Sequence, residues 1–237
     1  MKSKIIVTAV MVIVMLLPII AIAQNLPCRT YGGTMNERAH ALVQNFSDGS
    51  YVMAGFTTMP LDTNLLIVKI DSSGNPLQAK ISYGNKTEIA TSMIRTSDDG
   101  YAITGWTTTY QTSGQNLKAN IFVIKLDNNL NVQWGKVYTT NGDFEERAYS
   151  IIETFHTGPG YAVVGWTEYS GYNPSPALFI LKLFPDGNVQ WVKIYNRRTW
   201  TMQGWVNTPT EGYDIVELSY LPNFPNGGFA VTGRGLF

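Results

Sequence analysis

The sequence predicts an all-β protein, a β-propeller built from four-stranded antiparallel blades. One observation is a phrase, Gly-aromatic-Thr, that occurs at 55–57, 105–107 and 165–167. Another is that the segments around this phrase are apolar at successive positions, which is typical of strands that are covered on both faces. Beyond the first residues, apolar residues do not recur at helical spacing. We therefore expect about three complete repeat units and a partial fourth.

Each unit is predicted to contain four strands, A to D. A Gly-containing turn joins strand A to strand B, which carries the repeated phrase, and an apolar strand C follows. Strand C contains the lysine that marks the period of the repeat, Lys69, Lys125 or Lys182. The spacing is 56 residues (125 − 69) and then 57 (182 − 125), slightly above the usual length of a propeller unit. Either these lysines form a cationic stripe, or the aliphatic part of each side chain lies along the strand D tryptophan and its ammonium group lies at the rim.

Strand D follows a tight turn and carries Trp134 or Trp191 in the second and third units. The first unit has Gln78 at this position, and Gln78→Trp is expected to stabilise the fold by about 1 kcal/mol through added apolar burial. The fourth unit has Arg234 where strand B should carry its aromatic residue. The aspartates of the C–D turns are interpreted as turn formers, since a calcium loop would need further acidic ligands.

The repeat units are predicted at about 34–84, 85–141, 142–196 and 197–237, within a repeat domain at 24–237. Residues 26–33 match strand D. We expect them to act as a closing strand that completes the last unit and hides its sheet edge. The fourth unit has no strand C in the sequence, so the chain corresponds either to a piece of a larger propeller or to a small ring with a defective last blade.

Three motifs recur in a fixed order, and in the second unit they are "DGYAITGWT" at 99–107, "IFVIKLDNNLN" at 121–131 and "VQWGKVY" at 132–138. Together they resemble secreted bacterial and archaeal β-propeller repeats with units of the form D-G-G-Y-x-x-x-G-x-T … K-L-D-x-x-G-N-V-x-W-x-K-x-Y-G-G. The resemblance covers about residues 26–237. It implies the propeller fold and a cell-surface location, but no particular activity.

The first 23 residues are predicted to be a secretory signal peptide. Two lysines precede a continuous apolar run at 5–20, and the small residues Ala21 and Ala23 match a signal-peptidase site. Cleavage after Ala23 would yield a secreted or cell-surface protein, whereas an uncleaved segment would act as a membrane anchor. The only cysteine, Cys28, excludes an internal disulfide.

The composition argues against a nucleic-acid partner. The formal net charge is zero and only 14% of residues are charged, whereas polyphosphate binding needs a basic face. The sequence also contains little that indicates catalysis, because its two histidines, His40 and His156, lie on different units and no nucleophile motif occurs.

Loops that break the repeat are the predicted ligand-binding regions, because binding residues concentrate on loops carried by a rigid scaffold. These are the B–C loops at 107–120 and 167–177 and the insertion at 196–213. The candidate residues are Tyr110, Tyr169, Tyr172, Trp200, Trp205 and Arg197. Aromatic rings beside polar groups suit a protein or polysaccharide ligand. Alternatively, the two tryptophans fill the interface between units.

A carboxylate recurs at one repeat position, as Glu37, Glu88 and Glu146. These glutamates form either a ring that binds a cation or polar ligand, or structural groups that accept backbone N–H bonds. We expect the structural role, because the position recurs in every complete unit.

These observations favour an exported, non-enzymatic binding or scaffold module for a protein or carbohydrate. The alternative is a carbohydrate-active propeller enzyme, a glycosidase or lyase, with acidic residues gathered at one mouth. We predict no catalytic residue, cofactor or metal, and a cofactor-holding propeller such as a quinoprotein has no supporting signature. Membrane association is expected only through an uncleaved signal.

Overall fold

The computed structural model describes residues 29–82, 87–108, 118–140, 144–169, 175–202, 204–219 and 227–235, without the side chains of 169, 198–200 and 204–206. The chain divides into two compact units, 1–32 and 33–237. The predicted signal peptide and Cys28 lie outside the described residues, and residues 29–32 form no helix or strand. All strands of the described residues belong to the second unit.

The described residues form sixteen β-strands and no helix, which confirms the predicted all-β class. The strands are β1 (Asn36–Gln44), β2 (Tyr51–Thr58), β3 (Thr63–Ile70), β4 (Pro76–Ile81), β5 (Glu88–Arg95), β6 (Tyr101–Thr108), β7 (Ala119–Leu126), β8 (Val132–Tyr138), β9 (Glu146–Thr154), β10 (Gly160–Tyr169), β11 (Ser175–Leu183), β12 (Val189–Tyr195), β13 (Arg197–Thr201), β14 (Gly204–Thr208), β15 (Thr210–Leu218) and β16 (Gly228–Gly235). Three antiparallel sheets, β1–β4, β5–β8 and β9–β12, each have four strands in chain order. The last four strands form the two-stranded sheets β13–β14 and β15–β16.

The Gly-aromatic-Thr phrase begins with glycine because the backbone of the first strand comes very close to the second strand at this position. A Cβ atom on Gly165 would overlap the carbonyl oxygen of Arg147 on β9. Gly55 and Gly105 meet the preceding strand in the same way. A larger residue at any of these positions would push the two strands apart, so the glycine recurs for an architectural reason.

In the second and third sheets, the second and third strands are buried on both faces, as the apolar pattern predicts. In β6, Tyr101, Ala102 and Ile103 are all fully buried, although their side chains alternate between the two faces. The same holds for most of β7 and β11. The fourth strands β4, β8 and β12 are largely exposed. Each sheet is therefore covered mainly over its central strands.

The sheets pack on one another in chain order through their first strands. β5 packs on β1, β2 and β3; β9 packs on β5, β6 and β7; and β15 packs on β9, β10 and β11. An apolar cluster fills each interface, and the one between the second and third sheets includes Ile121, Val123, Phe179 and Leu181. Burial of each such side chain contributes about 1.5–3 kcal/mol. No sheet has this core alone, so each depends on its neighbours.

Carboxylates at the ends of the first strands also join successive sheets. Glu153 on β9 accepts hydrogen bonds from the backbone N–H and hydroxyl of Ser97, at 2.7 and 2.8 Å. Glu217 on β15 accepts from the backbone N–H groups of Phe155 and Thr157, at 2.8 and 2.6 Å. Both acceptors reach the turn between the first two strands of the preceding sheet, and they hold neighbouring sheets in register.

The structure differs from the sequence-based expectation after the third sheet. Residues 197–208, which we expected to be part of a loop insertion, form the hairpin β13–β14. Its sequence contains three threonines, two tryptophans and one valine, residues that favour strands. The loop interpretation followed the repeat, in which this hairpin has no counterpart.

The predicted closing strand at 26–33 lies partly outside the described residues, and its described part, 29–33, forms no strand. In the three larger sheets the fourth strand pairs with the third strand. β16 corresponds to the second strand of a sheet, and among the described strands it pairs only with β15. Among the described strands, no pairing closes the row of sheets into a ring.

Candidate functional site

A column of aromatic side chains and one arginine crosses the second and third sheets. The Arg147 guanidinium lies 4.5 Å from the ring centre of Trp106 and 5.9 Å from that of Trp166. Arg147 and Trp166 are cross-strand partners on β9 and β10, whereas Trp106 belongs to β6 of the preceding sheet. The arginine thus links the two sheets through contacts with aromatic faces.

The arginine is held in this position by an acidic neighbour. Glu145 accepts hydrogen bonds from Nε of Arg147 at 3.0 Å and from Nη2 at 2.6 Å, both at its Oε1 atom. The side chains of the pair are about one-third exposed. Such a two-point contact orients the planar guanidinium and leaves its faces to the tryptophans.

The column continues towards β15. The indole N–H of Trp166 donates to the Tyr149 hydroxyl at 2.9 Å, and Tyr149 meets Tyr213 edge to face with ring centres 5.5 Å apart. Tyr213 is 46% exposed, so the end of the column is open to solvent. The Tyr213 hydroxyl donates to Glu211 at 2.9 Å, and this hydrogen bond raises the pKa of the phenol.

The repeated carboxylates lie at one strand position but in different surroundings. Glu37, Glu88 and Glu146 each stand opposite the threonine of the Gly-aromatic-Thr phrase. Glu146 is fully buried and accepts from the backbone N–H of Thr140 at 2.6 Å and from the Thr167 hydroxyl at 3.2 Å. This is the backbone contact that a structural role requires.

Glu37 and Glu88 are only half-buried. The Thr57 hydroxyl lies at 3.5 Å from Glu37, at the limit of a hydrogen bond. Glu88 lines an open cavity of about 240 Å³ together with Ser82 and Lys136. Ser82 stands where the second sheet has Tyr138, whose hydroxyl reaches the Gly187 carbonyl of the next sheet at 2.7 Å. The smaller side chain of Ser82 therefore explains the cavity.

The repeated lysines are buried, and their charges do not lie at a rim. Lys125 donates to both carboxylate oxygens of Asp98, at 2.9 and 2.8 Å. Lys69 donates to Asp48 at 3.0 Å. Lys182 is fully buried and donates to two backbone carbonyls, those of Gly158 and Leu183. All three ammonium groups bond to the turn between the first two strands of their own sheet or to the backbone beside it.

The electrostatics of these lysines differ between sheets. Burial lowers the pKa of Lys182, and the distant Glu217 only partly opposes this effect. The turn beside Lys182 has Gly158 where the preceding sheet has Asp98. Asp98 itself has a lowered pKa: burial raises it, but hydrogen bonds from Lys125, Thr96 and the Gly100 N–H prevail.

The six predicted ligand-binding residues are described only in part. Tyr110 and Tyr172 lie outside the described residues, and only the backbone of Tyr169 is described, at the end of β10. Trp200 and Trp205 are brought together as cross-strand partners on β13 and β14. Arg197 is exposed at the start of β13 and lines a cleft of about 590 Å³ together with Arg234.

The column residues Trp106, Arg147 and Trp166 were not predicted as a site. The two tryptophans were assigned only to the repeat, and the position of Arg147 is held by Arg38, Ile89 and Glu211 in the other units. Three of the four units keep an aromatic residue opposite this variable position, and that contrast is visible in the sequence. The stacking across two sheets, however, depends on how the sheets pack.

The C–D turns contain hydrogen bonds that explain their aspartates. Asp71 accepts from the backbone N–H groups of Ser73 and Asn75, at 2.8 and 2.7 Å. Asp127 accepts in the same way from Asn129 and Asn131, at 2.9 and 2.7 Å. No group of three or more His, Cys, Asp or Glu residues that could hold a metal ion occurs among the described residues.

No protein-family model matches the chain, and no curated protein matches it. The resemblance to secreted propeller repeats therefore stays a prediction. Within the described ranges, no helix has the length and apolar composition needed to cross a bilayer.

Proposed function

We propose that the chain is an exported, non-enzymatic binding or scaffold module with a β-propeller arrangement, which binds a protein or carbohydrate outside the cell. The observation that carries the proposal is the column formed by Trp106, Arg147, Trp166, Tyr149 and Tyr213. It combines aromatic faces with a guanidinium and phenol hydroxyls, and its residues are partly exposed. Such groups bind sugar rings or peptide side chains by stacking and hydrogen bonding.

The packing of the sheets supports the propeller arrangement. The first strand of each sheet lies on the preceding sheet in the same way three times, as expected when first strands line a common axis. Trp106 and Trp166 of the column lie near the ends of β6 and β10, the strands after which the sequence predicts the B–C loops as binding regions.

The proposal is tested by electrophoresis in native gels that contain soluble β-glucan, xylan or α-glucan, together with pull-down of proteins from the producing cell's surface fraction. Binding should be lost in Trp106→Ala and Arg147→Ala. Trp191→Ala is the matched control, because this tryptophan packs against Phe229 away from the column. Equal binding by all variants would show that the column is not the site.

A carbohydrate-active enzyme is the second candidate, and the observation that favours it is Glu88 in an open cavity beside Lys136. The test is release of reducing sugars from the same polysaccharides. Activity that Glu88→Gln abolishes, with circular dichroism unchanged, would support the enzyme. Absence of release from polysaccharides that the protein binds would support the binding module.

A further inference from the structure

We propose that the edge of β16 and the cleft beside it bind an extended segment of a partner protein, which adds to the β15–β16 sheet as a third strand. This segment carries large apolar side chains at alternate positions and a carboxylate opposite Arg234. The inference rests on the proposed binding function and deepens it, because it names an extended peptide as the partner at a second surface.

The cleft has a volume of about 590 Å³ and lies between the third sheet and β15–β16. Its walls are apolar on both sides, with Leu178, Ile180 and Tyr195 from the third sheet and Phe229 and Val231 from β16. Along one wall runs the backbone edge of β16, which among the described strands is paired only on its other side. An open edge with apolar pockets beside it is the surface that strand addition uses.

The neighbouring interface shows what fills this space elsewhere in the molecule. Between the second and third sheets, Phe179 and Leu181 of β11 pack against Ile121 and Val123 of β7. β11 is the third strand of its sheet. The cluster beside β15–β16 contains Ile180 and Ile215, and among the described residues no side chain from such a third strand belongs to it. A strand added to β16 would place two alternate side chains in the cleft, as β11 does one interface earlier.

The strand register of the third sheet shows which position of an added strand would face Arg234, and therefore which charge is favourable there. Gly165 and Gly233 are equivalent, since each lies opposite the first strand of its sheet at the same position. Trp166 pairs with Leu178 across β10 and β11, so Arg234 would pair with the corresponding residue of the added strand. A carboxylate there would face a guanidinium, and opposite charges on facing strands are favourable.

Charges at the mouth of the cleft favour the same partner. Arg234 is 67% exposed at its side chain and meets Glu211 only at 3.8 Å. The exposed Arg234 guanidinium selects an acidic residue at the facing position of the segment. A strand of the repeat's own type, with leucine or isoleucine at this position, would leave that charge unmatched.

The probe is a fluorescein-labelled synthetic peptide with the sequence of residues 175–183 carrying Leu178→Glu, and binding to the full chain is measured by fluorescence anisotropy. A second peptide carries Leu178→Arg instead. The glutamate peptide should bind the natural chain more tightly, by roughly three- to tenfold, as expected for replacing a favourable cross-strand pair by a like-charge pair. In Arg234→Glu the order of the two peptides should reverse. Arg38→Glu is the matched control on an exposed arginine of β1, and it should leave the order unchanged.

Strand addition is distinguished from nonspecific apolar binding by two further peptides, N-methylated at alternate amides. Only one set of amides faces β16 in an added strand, so one peptide should lose binding and the other should retain it. Equal behaviour of the two peptides, or no reversal in Arg234→Glu, would overturn the inference. A dimer of the chain that Arg234→Glu dissociates would also overturn it, because a second copy would then be the occupant. The two proposals can fail separately. If Trp106→Ala loses ligand binding at the column but no peptide binds at β16, the proposed function stands and only this inference is rejected.

Discussion

Gln78 and Leu130 are two departures from the repeat that compensate each other. In the second sheet Trp134 packs on the next C–D turn, where a Cβ atom on Gly187 would lie 2.7 Å from the indole ring. The equivalent turn residue facing the first sheet is Leu130, which is fully buried despite its left-handed φ of 62°. From the equivalence of Leu130 with Gly187, we infer that the leucine occupies the space that a tryptophan at position 78 would need.

This compensation reverses our expectation for Gln78→Trp. The substitution alone should lower the free energy of unfolding by about 1–3 kcal/mol, because the indole would overpack the Leu130 side chain. The double variant Gln78→Trp, Leu130→Gly restores the pair found one interface later and should recover most of that loss. Urea unfolding of the two single variants and the double variant measures the coupling. Additive effects would show that the two positions do not touch.

The buried lysines provide a second comparison between equivalent residues. Lys125→Met should lower the free energy of unfolding by about 1–3 kcal/mol, because it removes the ammonium group that donates to both oxygens of Asp98 and to the Leu126 carbonyl. Lys182→Met should have a smaller effect, since Lys182 has no carboxylate at ion-pair distance among the described residues and its burial as a cation is costly. The midpoints of urea unfolding rank the two variants. A larger loss for Lys182→Met would contradict this account.

The lowered pKa of Lys182 also predicts a pH dependence. Between its folded pKa and the ordinary value of 10.5, the unfolded chain binds the proton more fully than the folded chain. The free energy of unfolding should therefore gain a rising contribution as the pH increases through this interval. Unfolding followed from neutral to alkaline pH should show this slope in the natural chain, and Lys182→Met should remove it. A slope that persists in the variant would assign it to another group.

Side chains at the ends of first strands form hydrogen bonds with the turn of the preceding sheet, and Glu217 on β15 is the example with the most bonds. Burial works to raise the pKa of Glu217, but hydrogen bonds from Thr157 and the N–H groups of Phe155 and His156 hold it below its ordinary value of 4.5. Ionised Glu217 therefore stabilises the contact between β15 and the third sheet above this pH. The contribution is lost as the pH falls through the folded pKa.

Glu217→Gln should weaken this contact by about 1–2 kcal/mol, because an amide accepts at one oxygen only and brings two donors to a site of donors. The loss should be present at neutral pH and should shrink in acid, where the natural residue is protonated. Thermal unfolding of both proteins at several pH values is the measurement. Glu211→Gln is the comparison on the same strand, since it removes a carboxylate that bonds to Tyr213 and Arg234 within the β15–β16 sheet and not to this turn. A constant difference at all pH values would point to packing as the cause.

Each sheet is stabilised by the sheets beside it, and the last sheet of the chain, β15–β16, packs against only one other sheet among the described residues. β10 and β6 lie between other strands in buried sheets, whereas β16 is half-exposed and paired on one side among the described strands. Amide hydrogen exchange should therefore be faster in β16 than in β6 or β10, while the three larger sheets exchange together. Mass spectrometry of peptic fragments resolves these segments. Slow exchange throughout β16 in the isolated chain would mean that its edge is already covered.

The strands, their order and the turns could be predicted from the sequence because they depend on local patterns. Continuous apolar runs and Gly-containing turns indicate buried strands and hairpins directly, and the repeat multiplies each signal. The hairpin at 197–208 was missed because it has no copy in the repeat. The sequence predicted only part of what the repeated lysines Lys69, Lys125 and Lys182 do. Their position beside strand D follows from the strand register. Their hydrogen bonds to the turn between the first two strands depend on folding of the whole sheet.

Contacts between sheets could be decided only by tertiary structure. Trp106 and Arg147 are 41 residues apart (147 − 106), and they meet because β9 packs on the preceding sheet. The match between Gln78 and Leu130, and the cleft beside β16, likewise arise where separate sheets face each other. Local sequence determines which strands form and how they pair within a sheet, because those interactions join neighbouring segments. The candidate sites lie between sheets, where side-chain volumes and charges from distant segments must fit together.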